Sequence, residues 1–175
     1  MGVTATADPL AVPAVTDQLT EPFEAFYETH VDRVHRALAI TLGDPHLARE
    51  ATDEAMVRAY AHWSRVARLD NPGGWVFRVG LNWATSWWRK VRRERPLAPG
   101  EGDAAVPPPD PAGAAALAAL STLHIGQRAV VVCRVLLDMS TIETALVLGI
   151  AEGTVKSRLA RALAELRSQL TEEQP

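Results

Sequence analysis

The segment at residues 97–116, LAPGEGDAAVPPPDPAGAAA, is the feature that most constrains the fold. It consists mainly of proline, glycine, alanine and acidic residues, which bury too little apolar surface to offset the entropy lost on ordering. We interpret it as a flexible acidic linker. It separates an N-terminal domain at residues 20–96 from a C-terminal domain at residues 117–171, and residues 1–19 are predicted to form a disordered leader.

Both domains are predicted to be helical. In the N-terminal domain, apolar residues from Phe23 to Leu38 recur at helical spacing and Gly43 follows as a stop signal. Asp44-Pro45 and Asn71-Pro72 each combine a capping residue with a proline, which is typical of the start of a helix. Because no segment alternates between apolar and polar residues, the predicted fold class is all-α, with two small helical domains.

Several function classes are excluded by composition. The longest apolar runs are interrupted by Arg134 and Asp138, so none approaches the roughly 20 residues of a membrane span. The N-terminus lacks the features of a secretory signal, which predicts a cytoplasmic protein. One cysteine cannot form an internal disulfide, and the five histidines lack partners at metal-ligand spacing. No catalytic or nucleotide-binding motif is present, so we predict no enzyme activity, catalytic residue, metal or cofactor.

The net charge of −3 conceals a basic segment between Arg78 and Arg95, which contains six basic residues and one acidic residue. A helix predicted from Asn71 to about Arg93 places Val76, Gly80 and Trp83 on its buried side. Cationic side chains neutralise phosphates, and a tryptophan beside them offers a stacking surface for an unpaired base, which suits single-stranded or melting DNA. Taken alone, the pattern also fits a core helix with a solvated basic face. The predicted DNA-binding residues are Arg78, Asn82, Thr85, Trp88, Arg89, Lys90, Arg92 and Arg93.

A helix-turn-helix is predicted in the C-terminal domain. Residues 140–143 have the form of a capping box, the helix they open ends near Gly149, and a final helix begins at about Glu152. Hydrogen-bond donors gather at the start of that final helix, where base edges and phosphates would be met. The alternative is a surface helix with ordinary solubilising charges. The predicted DNA-binding residues are Thr154, Lys156, Ser157, Arg158 and Arg161.

Three stretches together resemble the sigma factors of bacterial RNA polymerase that form the extracytoplasmic-function (ECF) group. Residues 148–167, LGIAEGTVKSRLARALAELR, resemble the helix-turn-helix of sigma region 4, which reads the minus-35 promoter element. Residues 48–60, AREATDEAMVRAY, resemble the region 2 helix that docks on the polymerase clamp. Residues 71–90 are similar to the region 2 helix that captures and opens the minus-10 element.

This resemblance implies a transcription initiation factor whose partners are core RNA polymerase, promoter DNA and, as is usual in the family, an anti-sigma factor. On the docking helix, the residues that face away from the predicted core would bind polymerase: Glu50, Asp53, Glu54 and Val57. The chain departs from the family pattern at Asp53, Ser86 and Ala151, where a glutamine, an aspartate and a serine are common. A conventional helix-turn-helix regulator with an N-terminal sensing or dimerisation domain explains the C-terminal half equally well.

Overall fold

The computed structural model describes residues 21–94 and 111–172, with side chains described except at 87–94, 111–112 and 170–172. No β-strand occurs in these two ranges, which confirms the all-α fold class. The predicted leader and most of the predicted linker lie outside the described residues. The helices are α1 (Phe23–Leu42), α2 (Pro45–Ala61), α3 (Trp63–Val66), α4 (Pro72–Glu94), α5 (Pro111–Thr122), α6 (Ile125–Val131, continued by a π-helix at Val132–Leu136), α7 (Thr141–Leu148) and α8 (Glu152–Glu172).

Local capping explains where the N-terminal helices begin and end. α1 stops at Gly43, whose φ of 70° favours glycine and whose N–H donates to the Ala39 carbonyl at 2.9 Å. Asp44 caps α2 by accepting a hydrogen bond from the Leu47 N–H at 2.9 Å. Asn71 caps α4 in the same way, through the Gly74 N–H at 2.7 Å. These three predicted helix boundaries are confirmed.

Helices α1, α2 and α4 enclose the N-terminal core. Its largest fully buried side chains include Phe26, Leu38 and Phe77. α4 lies close to the other two helices at Gly80, where a Cβ atom would lie 2.7 Å from Leu38 Cδ1 and 3.0 Å from the Ala51 carbonyl oxygen. Glycine therefore sets the separation of these helices, because a side chain would have to displace backbone.

The C-terminal domain is organised around the helix-turn-helix. Val130, Ala145 and Val155 form a small buried cluster among α6, α7 and α8. A second cluster joins Leu123 and Ala162. The helix predicted over residues 127–137 is present, although it begins at Ile125 and widens into the π-helix after Val131.

Helix α5 begins at Pro111, inside the segment 97–116 that was predicted to be a linker. Alanine has the highest helix propensity, and proline is well tolerated at the first helical position. The alanine-rich sequence PAGAAALAALST therefore forms a helix although it contains a glycine. The prediction of a linker was wrong for residues 111–116 because the composition was taken to oppose helix formation.

The two halves of the chain pack against each other, which the sequence did not predict. Val132, Cys133 and Met139 are buried in the same hydrophobic cluster as Phe26 and Phe77 of the N-terminal helices. The Met139 methyl group lies so close to Gly74 at the start of α4 that a Cβ there would be 3.0 Å from it. The π-helix and the loop after it thus lie on the surface of the N-terminal bundle.

Candidate polymerase and nucleic-acid interfaces

The outer face of α2 is acidic at its start and apolar toward its end. Glu50 and Asp53 are exposed, and Val57 retains 65% of its accessible surface. Glu54 is half-buried and pairs with Arg58 one turn later, at 2.9 Å. These residues face outward because the opposite face of α2 is buried, through Leu47, Ala48, Ala51, Thr52, Ala55, Met56 and Ala59. The predicted separation of the two faces is confirmed.

Aromatic side chains extend this face beyond Val57. Tyr60 is 64% exposed, and its ring lies 5.2 Å from that of Phe23, edge to face. Phe23 also contacts the Trp63 ring at 5.4 Å, and the Trp63 indole N–H donates to the Glu21 carbonyl at 2.8 Å. Tyr60 was missed by the sequence analysis, although its position three residues after Val57 places it on the same helical face. Exposed aromatic residues held by packing are typical anchors in protein interfaces.

The described part of α4 separates a buried side from an exposed polar side. Val76, Phe77 and Ala84 are completely buried. Arg78 and Asn82 are exposed, as predicted for DNA-binding residues. Thr85 is half-buried, and its hydroxyl donates to the Leu81 carbonyl at 2.8 Å, which reduces its capacity to bind DNA.

Arg78 has a partner in the other half of the chain. Its Nη1 donates to the Leu146 carbonyl of α7 at 3.1 Å. The α4 helix continues to Glu94, but the predicted site residues on its last turns lie outside the described side chains: Trp88, Arg89, Lys90, Arg92 and Arg93.

Two local features define the helix-turn-helix, a capping box at its first helix and a glycine at its turn. Ser140 and Glu143 form the predicted capping box: the Ser140 Oγ accepts from the Glu143 N–H at 3.1 Å, and the Glu143 carboxylate accepts from the Ser140 N–H at 2.7 Å. The Ser140 backbone N–H, followed by the Ser140 hydroxyl, lowers the pKa of Glu143. Gly149 then turns the chain with φ 65°, where other residues would be strained. Both features confirm the sequence interpretation.

The recognition helix α8 presents its predicted DNA-binding residues unequally. Lys156, Ser157 and Arg161 are exposed, whereas Thr154 and Arg158 are half-buried. The start of the helix has no side-chain acceptor at Ala151, whose carbonyl instead accepts from the Thr154 and Val155 N–H groups at 2.9 and 3.1 Å. The Ser157 hydroxyl donates to the Thr154 carbonyl at 3.1 Å.

Arg158 turns back toward α6. A Cβ atom at Gly126 would lie 3.1 Å from its Nη1 atom and 3.4 Å from its guanidinium carbon. The guanidinium group therefore packs over the first turn of α6 instead of extending away from the domain. The sequence analysis predicted the same role for Arg158 and Arg161, but it did not show that only Arg161 of the two is exposed.

The remaining chemistry of the described residues is sparse. No group of three or more His, Cys, Asp and Glu side chains within residues 21–94 and 111–172 is arranged to hold a metal ion. Burial raises the pKa of the Cys133 thiol to about 12, so this thiol is not a ready nucleophile. Within the same ranges, no helix is long and apolar enough to cross a membrane.

Comparison with known proteins identifies both halves. Residues 26–94 match the family described as Sigma-70 region 2, and residues 114–166 match Sigma-70, region 4. An RNA polymerase sigma-E factor of Streptomyces avermitilis is 36% identical over 151 residues, which cover 85% of this chain and 84% of that protein. The chain belongs to the sigma-70 family of RNA polymerase sigma factors. It is a transcription initiation factor that directs RNA polymerase to promoters.

Further relatives specify the group within the sigma-70 family. The ECF RNA polymerase sigma factor SigL of Mycobacterium tuberculosis is 34% identical over 161 residues, which cover 85% of this chain and 88% of SigL. SigM of the same species, also an ECF sigma factor, is 32% identical over 147 residues, covering 82% of this chain and 74% of SigM. The chain is therefore an ECF sigma factor, and the alternative of a conventional regulator with a sensing domain is wrong.

Solved structures share the fold. The sigma factor RpoE from Bartonella quintana, crystallised with the anti-sigma factor NepR, superposes with a TM-score of 0.71 at 20% identity, over 87% of this chain and 98% of RpoE. CnrH, solved with the cytosolic domain of CnrY, gives a TM-score of 0.59 at 24% identity, over 86% of this chain and 88% of CnrH. The all-α arrangement of this sigma factor is thus shared with distant relatives.

Proposed function

We propose that the outer face of α2 docks this sigma factor on core RNA polymerase through Glu50, Asp53, Glu54 and Val57. An acidic face recognises a basic partner surface, and the exposed Val57 supplies apolar surface that docking would remove from water. Tyr60 extends this face by one turn and adds an aromatic anchor.

The second part of the proposal assigns α4 to the minus-10 element. Arg78 and Asn82 are exposed on the polar side of this helix, where they suit phosphate contacts. The basic and aromatic last turns would hold the melted strand, with phosphates on the cationic side chains and a base on an indole ring. The residues assigned to that step are Trp88, Arg89, Lys90, Arg92 and Arg93, together with Thr85 as a minor contact.

The third part assigns α8 to the minus-35 element. Lys156, Ser157 and Arg161 are exposed on the N-terminal half of α8, which follows α7, the helix capped by Ser140 and terminated at Gly149. Arg161 is suited to bidentate contact with a guanine edge, and Lys156 to a phosphate. Arg158 and Thr154 contribute once the Arg158 guanidinium leaves α6.

This division of roles accounts for the domain organisation. Two small DNA-binding modules, at residues 20–96 and 117–171, are joined by the acidic segment between them, and polymerase fixes their spacing on the promoter. Catalysis then belongs to the polymerase, and the sigma factor acts where the chromosome is, in the cytoplasm. RpoE, which shares this fold, was solved with the anti-sigma factor NepR, which supports an anti-sigma factor as a further partner.

The observation that carries the proposal is the presence, in one chain, of a helix-turn-helix and a second basic helix beside an acidic docking face. Its test compares duplex promoter binding by the purified protein alone and with core polymerase. We expect tight, sequence-selective binding only when polymerase is present. Tight selective binding by the protein alone would contradict the assignment of α2 as an essential docking face.

A further inference from the structure

The guanidinium group of Arg158 lies on the first turn of α6. A Cβ atom at Gly126 would lie 3.1 Å from the Arg158 Nη1 atom and 3.5 Å from the His124 Nδ1 atom, which accepts a hydrogen bond from the Gly126 N–H at 3.2 Å. The guanidinium therefore lies over the bare backbone of Gly126, and the His124 ring borders the same position. This surface, formed by His124 and Gly126, is the α6 contact.

Arg158 is held at the α6 contact by packing. Within residues 21–94 and 111–172, its guanidinium forms no hydrogen bond and no ion pair, although that group is rich in N–H donors. Its half-buried state contrasts with the exposure of Arg161 one turn later. An arginine without an acceptor can leave such a contact for a better partner, and a guanine edge offers a pair of acceptors in the matching geometry.

The backbone at position 126 does not itself require glycine. Among the described glycines, positive φ values occur at Gly43 and Gly149, whereas Gly126 is the second residue of α6, where alanine favours the helix more than glycine does. What a side chain here would remove is the close approach of Arg158, because a Cβ atom 3.1 Å from Nη1 leaves the guanidinium too little room. The flexible end of the arginine would move, since it can do so without shifting any backbone.

The packing of α8 on α6 does not depend on Arg158. Val130 of α6 and Val155 of α8 are completely buried in one cluster. Farther along α8, the Gln127 Nε2 atom donates to the Glu165 carboxylate at 3.4 Å. The recognition helix therefore stays in place when the guanidinium moves.

We infer that Gly126 is a specificity-determining residue of this sigma factor, because it allows α6 to hold the Arg158 guanidinium in competition with the minus-35 element. The inference rests on the proposed function of α8. In the free protein Arg158 lies on α6, and it leaves when a base pair offers a contact more favourable than the α6 contact. Gly126 touches no base and acts by positioning Arg158.

The α6 contact makes the reading of one base pair more tolerant. To bind its preferred base, Arg158 must give up the α6 contact, so part of the binding free energy is lost. At the other bases Arg158 stays on α6, and nothing is lost. The difference in affinity between the preferred base and the others is therefore smaller than it would be for a free arginine. Removing the α6 contact should sharpen the preference at that position.

The first measurement follows the position of Arg158 without DNA. The full-length protein is modified with phenylglyoxal, which reacts with exposed guanidinium groups, and cleavage after glutamate yields the fragment 153–165, which contains both Arg158 and Arg161. Gly126→Ala should accelerate the modification of Arg158 relative to Arg161 by roughly two- to fivefold, the effect of a contact no stronger than one net hydrogen bond. Gly153→Ala is the matched control, because a Cβ atom there meets nothing within 4 Å, and it should leave the ratio unchanged.

The second measurement uses the full-length protein with core polymerase on a promoter library randomised at each base pair of the minus-35 element. The position whose preference is lost in Arg158→Ala is the one that Arg158 reads. At this position, Gly126→Ala should raise transcription from the preferred base over the other bases by roughly two- to fivefold, for the same reason. In an Arg158→Ala background the same substitution should change nothing, because it acts through Arg158.

The two measurements separate the α6 contact from the function of α8. Gly126→Ser places a Cβ atom at the same point as Gly126→Ala, so misfolding of one variant, seen by circular dichroism, does not decide the result. A modification ratio that is unchanged in the folded variants would overturn the inference. Faster modification with an unchanged base preference, or a change of preference that persists in the Arg158→Ala background, would overturn the role of Gly126 in specificity.

Failure of the proposed function gives a different pattern. If neither Arg158→Ala nor Arg161→Ala alters any minus-35 preference, the assignment of α8 to this element is contradicted, and the role of Gly126 in specificity is contradicted with it. The modification ratio, which is measured without DNA, would still report whether Gly126 holds Arg158 on α6.

Discussion

Charge reversal on α2 is the most direct perturbation of the proposed docking face. The variant carries Asp53→Lys together with Glu54→Lys. Two unit charges about 8 Å apart in a hydrated interface interact by about 0.5 kcal/mol, and each reversal replaces an attraction with a repulsion. Two reversals therefore cost about 2 kcal/mol, or roughly a thirtyfold increase in the Kd for core polymerase. The effect should shrink as salt is added.

The same substitutions cost the fold about 1 kcal/mol, which is half of the expected loss in binding. Asp53 is exposed and Glu54 makes a single ion pair with Arg58, at 2.9 Å, between side chains that keep 38% and 48% of their accessibility. An exposed pair one turn apart contributes about 0.5 kcal/mol, and the new like-charge contact adds a similar cost. The variant should therefore remain helical while its binding weakens.

The assay titrates a fluorescently labelled sigma factor with core polymerase and follows anisotropy at two salt concentrations. The control is Glu28→Lys with Asp32→Lys, which also reverses two acidic charges, at exposed positions one turn apart on α1. The control should bind like the wild type. An α2 variant with native circular dichroism and an unchanged Kd, or an equal loss of binding in both variants, would show that α2 is not the docking face.

Other predictions follow from individual contacts. Trp88→Ala should reduce the permanganate reactivity of thymines near the start site while closed-complex retention holds; unchanged reactivity would exclude a stacking role. Arg161→Ala should cost roughly 1–3 kcal/mol and relax selection at one position of a randomised minus-35 library, whereas a uniform loss of transcription would indicate a phosphate contact. Gly80→Ala should lower the free energy of unfolding by about 1–3 kcal/mol in urea, because the new methyl group meets the Ala51 carbonyl; an equal or higher stability would show that the helices can separate. Ser140→Ala should lower stability by about 1 kcal/mol. The pKa of Glu143 is lowered in the folded state, so its stabilising contribution is present above the ordinary carboxyl pKa and is lost as the pH falls through the folded value. If the capping box is the source of this contribution, the free energy of unfolding of Ser140→Ala should fall less on acidification than that of the wild type.

Short-range signals in the sequence predicted much of the fold. The caps at Asp44, Asn71 and Ser140 act within three or four residues, so their side chains and their backbone partners are adjacent in the sequence. Helical periodicity likewise separated the two faces of α2. The glycine at position 149 likewise predicts the turn of the helix-turn-helix from the sequence alone, because glycine favours the positive φ that this turn requires.

Contacts between distant segments were not predictable in the same way. Leu136 and Met139 belong to the C-terminal half of the sequence, yet both pack with the N-terminal cluster. Arg78 and Arg158 were correctly placed on polar faces, but each guanidinium group lies beside another element, α7 or α6. A helical projection gives the direction of a side chain from its own axis, and it contains no information about which element lies there.

We propose that this sigma factor gives core polymerase its promoter selectivity through two separate DNA-reading helices, α4 and α8. Run-off transcription from a genomic promoter library, with core polymerase and the purified protein, measures this most directly. We expect transcripts from a discrete set of promoters that share two sequence elements, with Arg161→Ala changing preference only at the upstream element. Transcripts that share a single element, or an Arg161→Ala variant that alters both elements alike, would contradict it.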